Sequence, residues 1–243
     1  MPIRVVLLDI EGTTTPIDFV YKVLFPYARA HVKGYLARHS DSPEVQKDFA
    51  ALLALHAEDV TRGLEPPLLE GPVESVSLDR VVGYLHWMME RDSKATPLKS
   101  IQGKVWEEGY NSGNLKSEVF EDVPRAFTRW REQGIRICIY SSGSVLAQKL
   151  LFASTQFGDL TPDISNYFDT NIGGKREAES YRRISSALDS APAETMFVSD
   201  VTDELDAAAS AGLDTRLCIR PGNHPQPKSD AKIVIHTFDD ILP

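Results

Sequence analysis

The stretch IRVVLLDIEGTTT at residues 3–15 constrains the fold of this 243-residue chain more than any other. Its apolar, β-branched run over 3–8, broken only by Arg4, reads as a strand buried on both faces, the kind found in parallel sheets. Two acids, Asp9 and Glu11, follow at once, ahead of a glycine and three threonines. In an open parallel sheet ligands bind at the carboxyl ends of the strands. On an extended backbone positions i and i+2 point the same way, so both carboxylates can reach one centre. Such a pair suits a metal site, or a nucleophile beside a general acid/base. The same residues also suit a helix N-cap followed by a polar turn.

Further strand-like runs fall at 135–140, 195–199, 215–220 and 232–235, separated by helical patterns at 123–133, 144–155, 176–189 and 203–211. This alternation predicts βαβ units and a parallel sheet with right-handed crossovers. The first gap breaks the rhythm. Residues 16–119 carry no convincing strand but show helix-like segments near 19–38, 43–62, 76–91 and 99–116, punctuated by Pro66, Pro67, Gly71, Pro72 and Pro97. So long a helical stretch directly after the first strand is an inserted domain, not a loop. A lid beside the first strand's edge would exclude water from a reaction there.

The formal net charge of −9 argues against nucleic acid or an anionic membrane as partner. An anionic substrate would then need a local cluster of cationic or metal charge. No stretch approaches the length of apolar residues that spans a bilayer. Cys138 and Cys218 each lie in an apolar strand-like run and read as buried thiols in a reducing compartment. The N-terminus lacks the pattern of a secretory signal. These features predict a cytoplasmic protein, with the nucleus as a further location in a eukaryote.

Three other segments carry chemistry. In IYSSGSVLAQKLL, Ser141 and Ser142 end the second strand-like run ahead of a helix starting near Ser144. Hydroxyls with free N–H groups at a helix N-terminus form an anion site, although serine caps without a ligand are common. In YFDTNIGGK, Lys175 follows a double glycine that can direct an ammonium toward a phosphate. A lysine so placed is more often solvated. In TMFVSDVTDELDAA, Asp200 ends an apolar run and Glu204 lies one helical turn on. Asp200 suits a magnesium ligand, or a helix N-cap with Asp203 and Glu204 favoured by the helix dipole. His31, His39, His56, His86, His224 and His236 show no zinc spacing and read as surface or loop residues. Phe19, Phe25, Tyr27 and Trp106 offer an apolar slot, but read better as helix-packing core.

This order of motifs resembles the haloacid-dehalogenase-like phosphotransferase superfamily. More closely, DIEGTTTPI at 9–17, LFPYA at 24–28, IYSSGS at 139–144, AQKLLF at 147–152, YFDT at 167–170, ESYRRI at 179–184, SDVTDE at 199–204 and RPGN at 220–223 look like the enolase-phosphatases (acireductone synthases) of methionine salvage. The resemblance runs over the whole chain. It implies an α/β fold: a Rossmann-like parallel sheet core with helices on both faces, formed by residues 1–15 and 120–243, and an all-helical cap domain over 16–119. It implies Asp9 as nucleophile and magnesium ligand, and Glu11 as acid/base that also holds magnesium, in part through its carbonyl. Ser141, Ser142 and Lys175 would bind substrate, and Asp200 would complete the metal site. One Mg2+ per subunit, a monomer, and a small-molecule phosphate ester as sole partner are expected. The implied substrate is 2,3-diketo-5-methylthiopentyl-1-phosphate, converted through its enol phosphate to the acireductone and phosphate. Glu11 stands where most of the superfamily has aspartate, in agreement with the enolase-phosphatase pattern. The alternative is a magnesium-dependent phosphatase or phosphomutase of the same superfamily acting on another small phosphate ester.

Overall fold

Val5–Leu8, fully buried, form the central strand β1 of the computed structural model, which describes residues 2–73, 76–225 and 233–242. Five more strands are parallel to it: β2 (Arg136–Tyr140), β3 (Ile164–Phe168), β4 (Thr195–Ser199), β5 (Asp214–Cys218) and β6 (Ile233–Ile235). Their order is β3-β2-β1-β4-β5-β6. The structure thus has one strand more than the sequence pattern predicts. β3 reads ISNYF and only its first residue is fully buried. It pairs on one side only, so polar residues are tolerated and the apolar run that marks the other strands is missing. Of the expected strand at 232–235, residue 232 lies outside the described residues.

The chain separates into two compact units, one running to Lys22 and resuming at Leu115, the other Val23–Asn114. The first carries the sheet, with α1 (Ile17–Phe19), α6 (Asp122–Glu132), α7 (Val145–Ala153), α8 (Ala178–Ala187) and α9 (Thr202–Ser210). One face of the sheet presents Val5, Leu7, Cys138, Tyr140, Phe197 and Leu217 to Tyr181 and Ile184 of α8 and to Leu205 and Ala208 of α9. Alternation along β1 sends Val6 and Leu8 to the opposite face. There Phe127 and Trp130 of α6 pack with Phe152 of α7 and with Phe238. Both cysteines are buried and unpaired, and burial pushes each thiol up to about 12.

The second unit is helical: α2 (Phe25–His39), α3 (Pro43–Thr61), α4 (Leu78–Glu90) and α5 (Thr96–Asn111). Ala28, Val32 and Leu36, spaced one turn apart, form the buried stripe of α2, which packs on α4 and α5. Ser42 caps α3 by accepting from Val45 N–H. Trp106 is buried, donates to the Leu24 carbonyl at 2.9 Å and stacks near Phe25, which is core packing. One expectation is overturned: His56 is neither surface nor loop. It is 7% exposed on α3, with Nε2 2.9 Å from the Pro67 carbonyl and its ring edge-on to Tyr84. A single satisfied ring nitrogen makes an imidazole compatible with an apolar helix face.

Candidate active site

The chain runs from β1 outward through β2 and β3, then returns to β4 on the other side of β1. At such a reversal the connections diverge and leave a crevice at the carboxyl edge. Leu8 pairs with Ile139 of β2 and Val198 of β4. Asp9, Ser141 and Asp200 are each the first residue past their strands, so all three emerge along that edge.

Asp9 is 2% exposed and both its oxygens are engaged. Oδ1 accepts from the Ile10 N–H at 2.7 Å and lies 2.6 Å from Lys175 Nζ. Oδ2 accepts from the Ser199 hydroxyl at 3.2 Å. Ser199 also reaches Glu204 Oε2 at 3.0 Å, which itself lies 2.8 Å from Lys175 Nζ. The turn after Asp9 is closed locally. The Ile10 carbonyl accepts from the N–H groups of Thr13, Thr14 and Thr15, and the Thr14 hydroxyl reaches back to the Asp9 carbonyl.

Lys175 is brought in from the loop after β3 by three side chains that hold its turn. The Tyr140 hydroxyl donates to the Gly173 carbonyl at 2.8 Å, Ser180 to that of Gly174 at 2.8 Å, and Tyr181 to that of Lys175 at 2.6 Å. Gly173 has φ +139°, and a Cβ there would sit 2.2 Å from Ser180 Oγ. Only glycine allows this turn.

On the β2 side, the Ser141 hydroxyl donates to Glu11 Oε2 at 3.4 Å and accepts from the Gly143 N–H at 3.2 Å. Ser142 is half-buried beside it. The cap of α7 is Ser144, which accepts from Ala147 N–H, so neither Ser141 nor Ser142 serves as that cap. Nor does Asp200 cap α9, which starts after Val201 without a side-chain cap bond.

Electrostatics set this cluster apart. Burial would by itself lower Lys175, but the carboxylates of Asp9 and Glu204, with Glu11, outweigh it and hold the ammonium above the ordinary lysine range. Asp200, 6% exposed, is pushed up to about 7 by burial and by the Asp9 charge, with Lys175 opposing. Glu204 is raised by burial and then by Asp9. Asp9 and Glu204 thus share one ammonium while the buried Asp200 carboxyl feels the Asp9 and Glu204 charges as well, an imbalance that a hard cation would relieve. No group of three His, Cys, Asp or Glu side chains among the described residues is set to enclose a metal. That is compatible with Mg2+, which takes one or two carboxylates and fills its sphere with carbonyls, waters and phosphate oxygens.

Two residues past β5 complete the frame. Arg220 donates to the Thr13 carbonyl at 3.2 Å and pairs with buried Asp122 at 2.8 Å. Asn223 Nδ2 donates to the carbonyls of Gly12 at 2.9 Å and Cys218 at 3.2 Å. No pattern in the sequence gives Ser199, Arg220 or Asn223 a role, although the first lies in SDVTDE and the other two in RPGN. Their partners lie about two hundred residues away in sequence, at Asp9 to Thr13, where no local pattern points.

The fold and this arrangement define a hydrolase class. The haloacid dehalogenase-like hydrolase family model matches residues 3–212, and the chain belongs to that family. Within it the similar proteins are enolase-phosphatases. The chain is 49% identical over 239 residues to Enolase-phosphatase E1 of Synechococcus elongatus, covering 98% of each. It is 41% identical to Enolase-phosphatase E1 of Drosophila willistoni, covering 92% of this chain and 89% of that one. Among solved structures, the unknown transcript 4 protein of Saccharomyces cerevisiae has a TM-score of 0.79 at 33% identity, covering 98% of this chain and 99% of that one.

Proposed function

We propose that this chain is the enolase-phosphatase of methionine salvage. It takes 2,3-diketo-5-methylthiopentyl-1-phosphate through its enol phosphate to the acireductone, releasing phosphate. The observation that carries this reading is the Asp9–Lys175–Glu204 cluster at the sheet's reversal point, in a chain whose full-length relatives bear that name. Asp9 is the nucleophile. Its carboxylate attacks phosphorus in line, forming an aspartyl phosphate as the bond to the enolate oxygen breaks. Lys175 holds the transferring oxygens as a point charge, and Ser141 and Ser142 bind them from the β2 side. Glu11 gives its proton to the departing enolate oxygen, then takes one from the water that hydrolyses the aspartyl phosphate. Asp9, Asp200 and the Glu11 carbonyl would hold one Mg2+, which supplies charge neutralisation and polarises the ketone next to the phosphate-bearing carbon.

The helical unit Val23–Asn114 is taken as the cap domain, within the wider 16–119 that the sequence suggests. No helix among the described residues is long and apolar enough to cross a membrane, and the two free buried thiols suit the cytoplasm. The protein is taken to act as a monomer on its small-molecule substrate. Pure protein with the diketone phosphate and Mg2+ provides the test, read by absorbance of the enol and by phosphorus resonance. Enol and inorganic phosphate should both form. Release of phosphate from an aryl phosphate with the diketone untouched would favour the other phosphatase reading.

A further inference from the structure

Asn223 has a geometry that its clamp on the Gly12 turn does not use up. Its side-chain amide faces two backbone carbonyls, those of Gly12 and Cys218. Carbonyls only accept, so they fix which way the amide is turned: the nitrogen lies on their side and Oδ1 must lie on the other. Oδ1 is buried and has no hydrogen-bond partner among the described residues. A buried amide oxygen left without a donor is costly. It also sits in a defined place. A Cβ on Gly12, whose φ is +70°, would lie 2.9 Å from Asn223 Oδ1 and 2.5 Å from Asp200 Oδ2. The oxygen therefore flanks the same spot as the Asp200 carboxylate, and both are acceptors. Among the described residues no donor reaches Asn223 Oδ1.

We propose that Asn223 is a positioning residue for the cation held at Asp200, its Oδ1 accepting a hydrogen bond from a water in the cation's own shell. This rests on the reading of Asp200 as a metal ligand. Mg2+ keeps several of its waters when bound, and each such water is a strong donor seeking an acceptor. Groups that accept from a metal's outer shell orient the ligands and raise affinity. One side chain would thus fix the nucleophile turn through its nitrogen and the hydrated ion through its oxygen.

Two variants separate those roles. Asn223→Ala removes both the clamp and the acceptor. Asn223→Asp cannot donate to Gly12 and Cys218, yet keeps an oxygen toward Asp200. Chelated wild type, both variants and Asp200→Asn are titrated with Mn2+ without substrate, free ion being read by paramagnetic resonance and folding by circular dichroism. The dissociation constant should rise about 10-fold in Asn223→Ala, while Asn223→Asp keeps wild-type affinity or exceeds it. Should the alanine variant not fold, Asn223→Ser, too short to reach either side, takes its place. Unchanged affinity in Asn223→Ala, or equal weakening in both variants, overturns the role of Asn223 alone. Wild type that does not bind the ion, or Asp200→Asn that binds it as well as wild type, overturns the metal reading and this inference with it.

Discussion

At the residue scale, the proposed mechanism has Asp9 and Lys175 divide the work by charge. Asp9→Asn removes the attacking anion with almost no change of shape: the amide oxygen can still accept from the Ile10 N–H, and the amide nitrogen can donate to the Ser199 hydroxyl. Phosphate release should fall by at least about 10^3-fold, checked by phosphate assay with the variant's mass verified against deamidation. Enol phosphate should still accumulate in that variant if its metal site is intact, since Glu11 and Asp200 remain. Failure to form enol with metal bound would give Asp9 a part in enolisation too. Lys175→Ala and Asp200→Asn should differ in kind. The first should raise KM or lower kcat at any magnesium concentration. The second should raise the magnesium needed for half-maximal rate. Identical magnesium curves for the two would contradict the division of roles.

At the scale of elements, the site depends on how the loops after β1 and β5 are tied together. Asp122 opens α6 and accepts from Arg220, from the Thr237 hydroxyl and from the Phe238 N–H. Burial alone would raise its pKa, but those donors outweigh it and hold the carboxyl below its ordinary range. The stability this contributes is present above the ordinary carboxylate pKa and is lost as pH falls through the lowered one. Asp122→Ala leaves the Arg220 guanidinium buried and unpaired, at a cost of roughly 3–5 kcal/mol. Urea denaturation checks this, and a loss under about 1 kcal/mol, the range of an exposed pair, would contradict it. Elements were unequally legible in the sequence. Strands buried on both faces, such as VVLL and TMFVS, announce themselves by composition. Edge strand β3 does not, because polar Ser165 and Asn166 carry no periodic signal. Asp9, Ser141 and Asp200 could be placed at strand ends because their position follows from the run before them. Ser199 and Asn223 could not be assigned, because what they touch is decided only when β1, β4 and β5 come together.

At the scale of the whole molecule, a buried acid cluster with too little cationic charge makes stability depend on pH and metal together. Asp200 is raised to about 7 in the folded chain from an ordinary value of 3.8. A raised carboxyl binds its proton more tightly folded than unfolded. Its contribution is therefore full below pH 4 and is lost as pH climbs to 7, by at most about 4 kcal/mol. Metal-free protein should lose part of its stability between pH 5 and 7.5. Mg2+ should restore it at the higher pH, and Asp200→Asn should flatten the dependence. A metal-free denaturation midpoint that rises over that range, with Asp200→Asn no different from wild type, would contradict this assignment.

In the proposed mechanism phosphorus passes through Asp9. Enzyme turning over the diketone phosphate with Mg2+ is quenched into borohydride, which reduces an aspartyl phosphate to homoserine, and its peptides are mapped by mass. Homoserine should appear at position 9, only when substrate was present, and at no other acid. Continued phosphate release with aspartate unchanged at position 9 and homoserine elsewhere, or nowhere, would contradict the account.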